Sequence, residues 1–79
     1  MVLVSAYILT KVEAGKDKEV FKEVKELEGV KKVNITYGSY DLIVEVVFEK
    51  IQELDKFVFY TLRLIPQVKE TMTIICVET

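Results

Sequence analysis

Val20-Phe21-Lys22-Glu23-Val24-Lys25-Glu26-Leu27-Glu28-Gly29-Val30-Lys31 is the stretch that decides the fold, because the chain carries a version of it twice. At an offset of 38, Val58, Phe59, Leu62, Ile65, Val68 and Lys69 stand where Val20, Phe21, Val24, Leu27, Val30 and Lys31 stood. In the first copy, Val20, Phe21, Val24 and Leu27 recur at helical spacing, while Lys22, Glu23, Lys25 and Glu26 form a wet face. The spacing predicts a helix over 18–28, capped by Asp17 and closed by Gly29 at C′. In the second copy, Leu54, Phe57, Val58, Leu62 and Ile65 fall at i, i+3, i+4, i+8 and i+11, and Pro66 stops the helix.

Strand-like segments flank both helices. Residues 2–12 alternate, with Val2, Val4, Ala6 and Ile8 on one face and Leu3, Ser5, Tyr7 and Leu9 on the other. A turn at Glu13-Ala14-Gly15-Lys16 leads into the first helix. Residues 30–37 and the run Leu42-Ile43-Val44-Glu45-Val46-Val47-Phe48 form two further strands, joined through Gly38-Ser39 as a hairpin. Glu49 to Gln52 is the next turn, and residues 68–77 are the last strand. The order is therefore βαββαβ, a duplicated βαβ unit, and one α+β domain over 1–79. Right-handed crossovers place both helices on one face of a four-stranded antiparallel sheet, the ferredoxin-like arrangement. Apolar residues occupy both sets of alternating positions, so one set is left on the open face. A patch of that kind marks an interaction surface, and a homodimer through the open sheet face is expected. Phe59, Tyr60 and Leu64 lie outside the core stripe of the second helix and supply contacts for a larger ring.

Composition narrows the function classes. The 79 residues are 51% hydrophobic and 30% charged, with three Gly and one Pro, which is too apolar for a disordered tail. Eleven Lys+Arg against thirteen Asp+Glu give a net charge of −2, no footprint for a phosphate backbone. No apolar run approaches the roughly 18 residues of a membrane span, and the N-terminus lacks a basic signal-peptide region. A cytoplasmic protein without membrane contact is expected. Cys76 has no disulfide partner, and the absence of His argues against zinc. A chain this short buries only roughly 60–65% of its unfolded surface, so assembly is the natural source of extra stability. Lys-rich charge with little Asn or Gln points to a thermophilic source.

No catalytic constellation is present: Ser5 and Ser39 have no triad context, and Cys76 reads as a small strand hydrophobe. An enzyme is not expected, nor a cofactor. The informative stretch is Tyr37-Gly38-Ser39-Tyr40-Asp41. A tight turn alone accounts for Gly38 and Ser39. It does not account for Asp41, a carboxylate opening an otherwise apolar strand. Free backbone N–H groups at a hairpin tip hold a carboxylate, and an adjacent Asp holds an ammonium. Together they match the two ends of an α-amino acid. Thr71 and Thr73 add two hydroxyls on one face of the last strand, although β-branched propensity is the better explanation of them.

The chain resembles the effector-binding (RAM) domain of the Lrp/AsnC family of transcriptional regulators. The resemblance rests on Ala14-Gly15-Lys16, on Leu27-Glu28-Gly29-Val30, on Val33 through Leu42, and on Leu64 through Ile74. Its distinctive parts are the Gly-x-Tyr-Asp turn and the Pro-x-Val-x-x-Thr-x-Thr strand. It implies a ferredoxin-like fold, dimers packed through the sheet, octamers or similar rings, and an amino acid held between dimers. It implies Gly38, Ser39, Tyr40 and Asp41 as ligand-binding residues, with Thr71 and Thr73 beside them. Members of the family carry an N-terminal helix-turn-helix, whereas here the first strand is expected at residue 2, as in a stand-alone form without direct DNA binding. Tyr37 stands where a small residue is usual and is expected to narrow the pocket; Ser39 replaces an acidic residue.

Three readings follow. The first is an amino-acid sensor that modulates full-length Lrp-type regulators by mixed assembly. The second is a ligand-free interaction module docking onto such regulators. The third, a small dimeric ferredoxin-like enzyme, is disfavoured by the missing His.

Overall fold

In the computed structural model, residues 3–77 are described. The elements are β1 (Val4–Val12), α1 (Asp17–Val24), β2 (Val30–Ile35), β3 (Leu42–Phe48), α2 (Ile51–Phe57) and β4 (Val68–Ile75). Helix α2 runs directly into a π-helical turn over Val58–Leu62. The strands form one antiparallel sheet in the order β2-β3-β1-β4. The fold is thus the expected ferredoxin-like βαββαβ.

Register assigns the two faces. Ala6, Ile8 and Thr10 of β1 stand opposite Val46, Val44 and Leu42 of β3 and opposite Ile75, Thr73 and Thr71 of β4. Ala6, Ile8, Val12, Leu42, Val44 and Val46 are buried under the helices, where Val20, Val24, Leu54, Phe57, Val58, Leu62 and Ile65 meet them. All five apolar positions read from the spacing of the second helix lie in this core. Each such side chain contributes roughly 1.5–3 kcal/mol on burial. The opposite face carries Ser5, Tyr7, Leu9 and Lys11 of β1, Ile43, Glu45 and Val47 of β3, and Met72 and Ile74 of β4.

The sequence duplication survives as duplicated hydrogen bonds. After α1, Leu27 N donates to Val24 O (3.0 Å) and Val30 N to Leu27 O (3.2 Å). After the π turn, Ile65 N donates to Leu62 O (3.2 Å) and Val68 N to Ile65 O (3.0 Å), the same residues displaced by 38. Strand entry is matched at the acceptors only: Val47 N donates to Gly29 O and Glu13 N to Gln67 O, the carbonyls lying 38 residues apart and the donors 34. The halves are related by a pseudo-twofold in the sheet.

Several local details differ from the sequence reading. Helix α1 ends at Val24 rather than near residue 28, and the chain then tightens through Leu27. Asp17 is the first helical residue, not the N-cap; Lys16 takes that position, and Asp17 Oδ1 accepts from Lys18 N at 3.0 Å. Helix α2 begins at Ile51, inside the expected turn, because Glu53 Oε1 accepts from both Glu49 N (3.1 Å) and Lys50 N (3.0 Å). Strand β2 stops at Ile35, and β4 stops at Ile75. Strand β1 starts at Val4, and its expected first residue, Val2, lies outside the described residues.

Candidate ligand-binding site

The β2–β3 connection is wider than a two-residue turn. Thr36 N donates to Asp41 O at 2.8 Å, closing a loop that leaves Tyr37, Gly38, Ser39 and Tyr40 outside the ladder. Thr36 Oγ1 donates to Tyr40 O at 2.9 Å and fixes the loop from within. Gly38 takes φ +105°, a conformation that costs any L side chain roughly 1–2 kcal/mol, which is why glycine stands there. Among the described residues, no acceptor meets the backbone N–H of residues 37–40. Successive backbone donors without a protein acceptor at a loop tip are the kind of group that suits an anion such as a carboxylate.

Asp41 is anchored rather than free. Its backbone N–H donates to Thr10 O at 2.9 Å, and its Oδ2 accepts from Val12 N at 2.8 Å. The β1–β4 register slips between Lys11 and Val12, and the Asp41 carboxylate satisfies the amide beside that irregularity. This supplies the structural reason for an acid at the mouth of an apolar strand. One carboxylate oxygen is committed to Val12; the other, Oδ1, has no partner among the described residues. A half-used, fixed carboxylate is a good acceptor for an ammonium group.

A cleft of ≈ 550 Å³ opens beside this loop, lined by Asp17, Lys18, Ile35, Thr36, Tyr37, Gly38 and Asp41. It brings together two of the six residues singled out from sequence, Gly38 and Asp41. Ser39 is exposed at the loop tip. Tyr40 turns towards the opposite face, where its hydroxyl lies 4.0 Å from Met72 Sδ and Lys11 Nζ sits 6.0 Å from its ring. Thr71 lies in a separate hollow with Arg63, Val68, Lys69 and Glu70. Thr73 lines a groove between α2 and β4 with Leu54, Val58 and Phe59. Thr71 and Thr73 do share a face, as their alternation required, but within one chain they do not reach the loop cleft. Tyr37 is one of the residues lining the cleft, and its side chain is fully exposed (104%). Asp17, Lys18, Ile35 and Thr36 also line the cleft, beyond the residues that the sequence singles out. For Thr36 the cue was its position at the loop's start, whereas the α1 residues reach the cleft only through the fold.

A second hollow at the other end of the sheet is lined by Glu28, Glu49, Glu53 and Lys56 against Phe48 and Phe57. Glu53 is committed to the start of α2 there. Among the described residues, no cluster of His, Cys, Asp or Glu could hold a metal ion, and no helix is long and apolar enough to cross a membrane.

The element order and strand order place the chain in the class of small split-βαβ, ferredoxin-like domains. Residues 5–79 match the family model of the Lrp/AsnC ligand binding domain, and the chain belongs to that family. It is 36% identical over 74 residues to the HTH-type transcriptional regulator FL11 of Pyrococcus abyssi, covering 94% of this chain and 48% of that protein. The chain thus spans about half the length of the curated relatives it matches. The crystal structure of FFRP-DM1 superimposes with a TM-score of 0.91 at 36% identity, over 94% of this chain and 99% of that one. The transcriptional regulator NMB0573 from Neisseria meningitidis, solved as an L-Met complex, shares the fold with a TM-score of 0.84 at 19% identity, over 95% of this chain and 50% of that one. The family places the chain among regulatory ligand-binding domains, not among enzymes.

Proposed function

We propose that this domain, a single unit over residues 1–79, is a cytoplasmic amino-acid sensor that assembles with itself and with full-length Lrp-type regulators. The observation that carries the reading is the juxtaposition, in one hairpin, of four backbone donors that have no acceptor among the described residues with an anchored carboxylate. The free N–H groups around Gly38 and Ser39 take the α-carboxylate, and Asp41 Oδ1 takes the α-ammonium. The L-Met complex of the Neisseria regulator supports a ligand of this class. Tyr40, Thr71 and Thr73 lie away from the cleft within one chain, so their part in binding is assigned to contacts made on assembly, with the site lying between dimers of an octamer or similar ring. The domain makes no direct contact with DNA in this reading, since its net charge is −2. A ligand-free interaction module is the second reading, favoured by the apolar side chains Tyr7, Met72 and Ile74 exposed on the open sheet face.

Calorimetric titration with each of the twenty amino acids tests the first reading. Asp41→Asn retains an oxygen for Val12 N–H but loses the charge. It is expected to fold normally and to bind about ten- to a hundredfold more weakly. Silence of the native protein towards every amino acid at millimolar concentration would sink the sensor and leave the module. Failure to form mixed oligomers on co-expression with a full-length regulator would count against the module.

A further inference from the structure

We infer that Tyr37 decides which amino acid is held, and that the class it selects carries an apolar side chain, aromatic or branched aliphatic. This rests on the sensor reading and deepens it. The backbone on both sides of Tyr37 is fixed. Thr36 is tied by its amide to Asp41 O and by its hydroxyl to Tyr40 O, and Gly38 holds φ +105°. The ring, by contrast, has nothing over it: Tyr37 is the most exposed of the large apolar side chains. An uncovered aromatic lining a cleft, on backbone fixed at both sides, is not explained by the core, to which it does not belong, nor by the turn, whose requirement is met by Gly38.

The cleft gives the ring a task. Its polar end, Gly38 and Asp41, is where the ligand's charged α-groups sit, so the ligand side chain extends along the remaining wall. That wall is Ile35 and Tyr37, with Thr36 between them. Ile35 is an exposed apolar side chain at the end of β2. Asp17 and Lys18 at the start of α1 add one charge of each sign to the lining. An apolar ligand side chain laid against Ile35 and under the phenol removes both from water. Ring-on-ring contact adds roughly 0.5–1.5 kcal/mol beyond burial.

The experiment is calorimetry on the full chain and on Tyr37→Ala and Tyr37→Phe, using phenylalanine, leucine, glutamate and lysine as the four probes. Tyr37 is exposed, so both variants are expected to keep the native circular dichroism spectrum. The native protein is expected to prefer phenylalanine and leucine over glutamate and lysine by about tenfold or more. Tyr37→Ala is expected to lose about fivefold in phenylalanine affinity, narrowing that preference, and Tyr37→Phe to retain it. An unchanged phenylalanine affinity in Tyr37→Ala, or tighter binding of glutamate or lysine by the native chain, overturns the assignment while leaving the sensor standing. Absence of binding by all four probes, with binding only of another polar amino acid, overturns it as well, whereas binding of isoleucine, valine or tryptophan keeps it. Absence of binding by any amino acid overturns the sensor and this inference together.

Discussion

Gly29 and Gly38 both hold positive φ, yet they answer to different constraints. At Gly29 (φ +90°) a Cβ would run into the Phe48 ring, so strain and overlap coincide. At Gly38 (φ +105°) a Cβ would meet nothing within 4 Å, and only the backbone penalty applies. Gly38→Ala should therefore cost about 1 kcal/mol, and Gly29→Ala roughly 2–3 kcal/mol, measured by urea unfolding at equal m-value. Equal costs would show that Phe48 moves aside freely. Asp41 is the residue where sequence and structure divide the explanation between them. An acid opening an apolar strand was legible as an anomaly, but its bond to Val12 N–H was not, because that partner is 29 residues away. Removing the acceptor altogether in Asp41→Ala strands that amide beside the strand irregularity. It should cost about 1–2 kcal/mol of stability that Asp41→Asn does not.

Elements were legible wherever side-chain period and packing agree. Leu54, Phe57, Val58, Leu62 and Ile65 mark a buried stripe in sequence and form one in the core. What period cannot report is which carbonyl each amide bonds. Arg63 N donates to Val58 O at 3.0 Å, a five-residue step, and the stripe looks the same through that π turn as through an α-helix. The ends of elements were hidden for a related reason: they are set by individual hydrogen bonds, not by a repeating pattern. Glu53 is the clearest case, since one carboxylate oxygen holds two amides and starts α2 at Ile51. Glu53→Ala is expected to lower stability by about 1 kcal/mol, and Glu53→Gln to recover part of it, both measurable by thermal unfolding. An unaffected melting temperature in Glu53→Ala would mean that packing of Leu54 and Phe57, rather than the cap, fixes where the helix begins.

At the scale of the whole molecule, the helices cover one face of the sheet and leave the other open. Register puts Tyr7 between Glu45 and Ile74, and Leu9 between Ile43 and Met72, so the open face has an apolar centre. Charges stand among and beside these side chains: Lys11 opposite Glu70, Lys32 opposite Glu45, and Lys31 Nζ 3.9 Å from Glu45 Oε2. A surface with an apolar centre and charges of both signs suits a second copy of itself better than a polyanion. Phe59, Tyr60 and Leu64 lie exposed on and just beyond the π turn, a distinct surface available for joining dimers. The two surfaces are separable by mutation. Ile74→Lys places a charge on the open face beside Tyr7 without touching the buried core, and light scattering should then find only the 9.1 kDa monomer. Tyr60→Lys should leave dimers and abolish the larger species. Native stability should rise with protein concentration, because mass action favours the assembled state, and this dependence should vanish in Ile74→Lys. If Ile74→Lys retains the native mass, the open face is not the primary interface, and the surplus apolar surface of so short a chain must be covered by something other than its own copy.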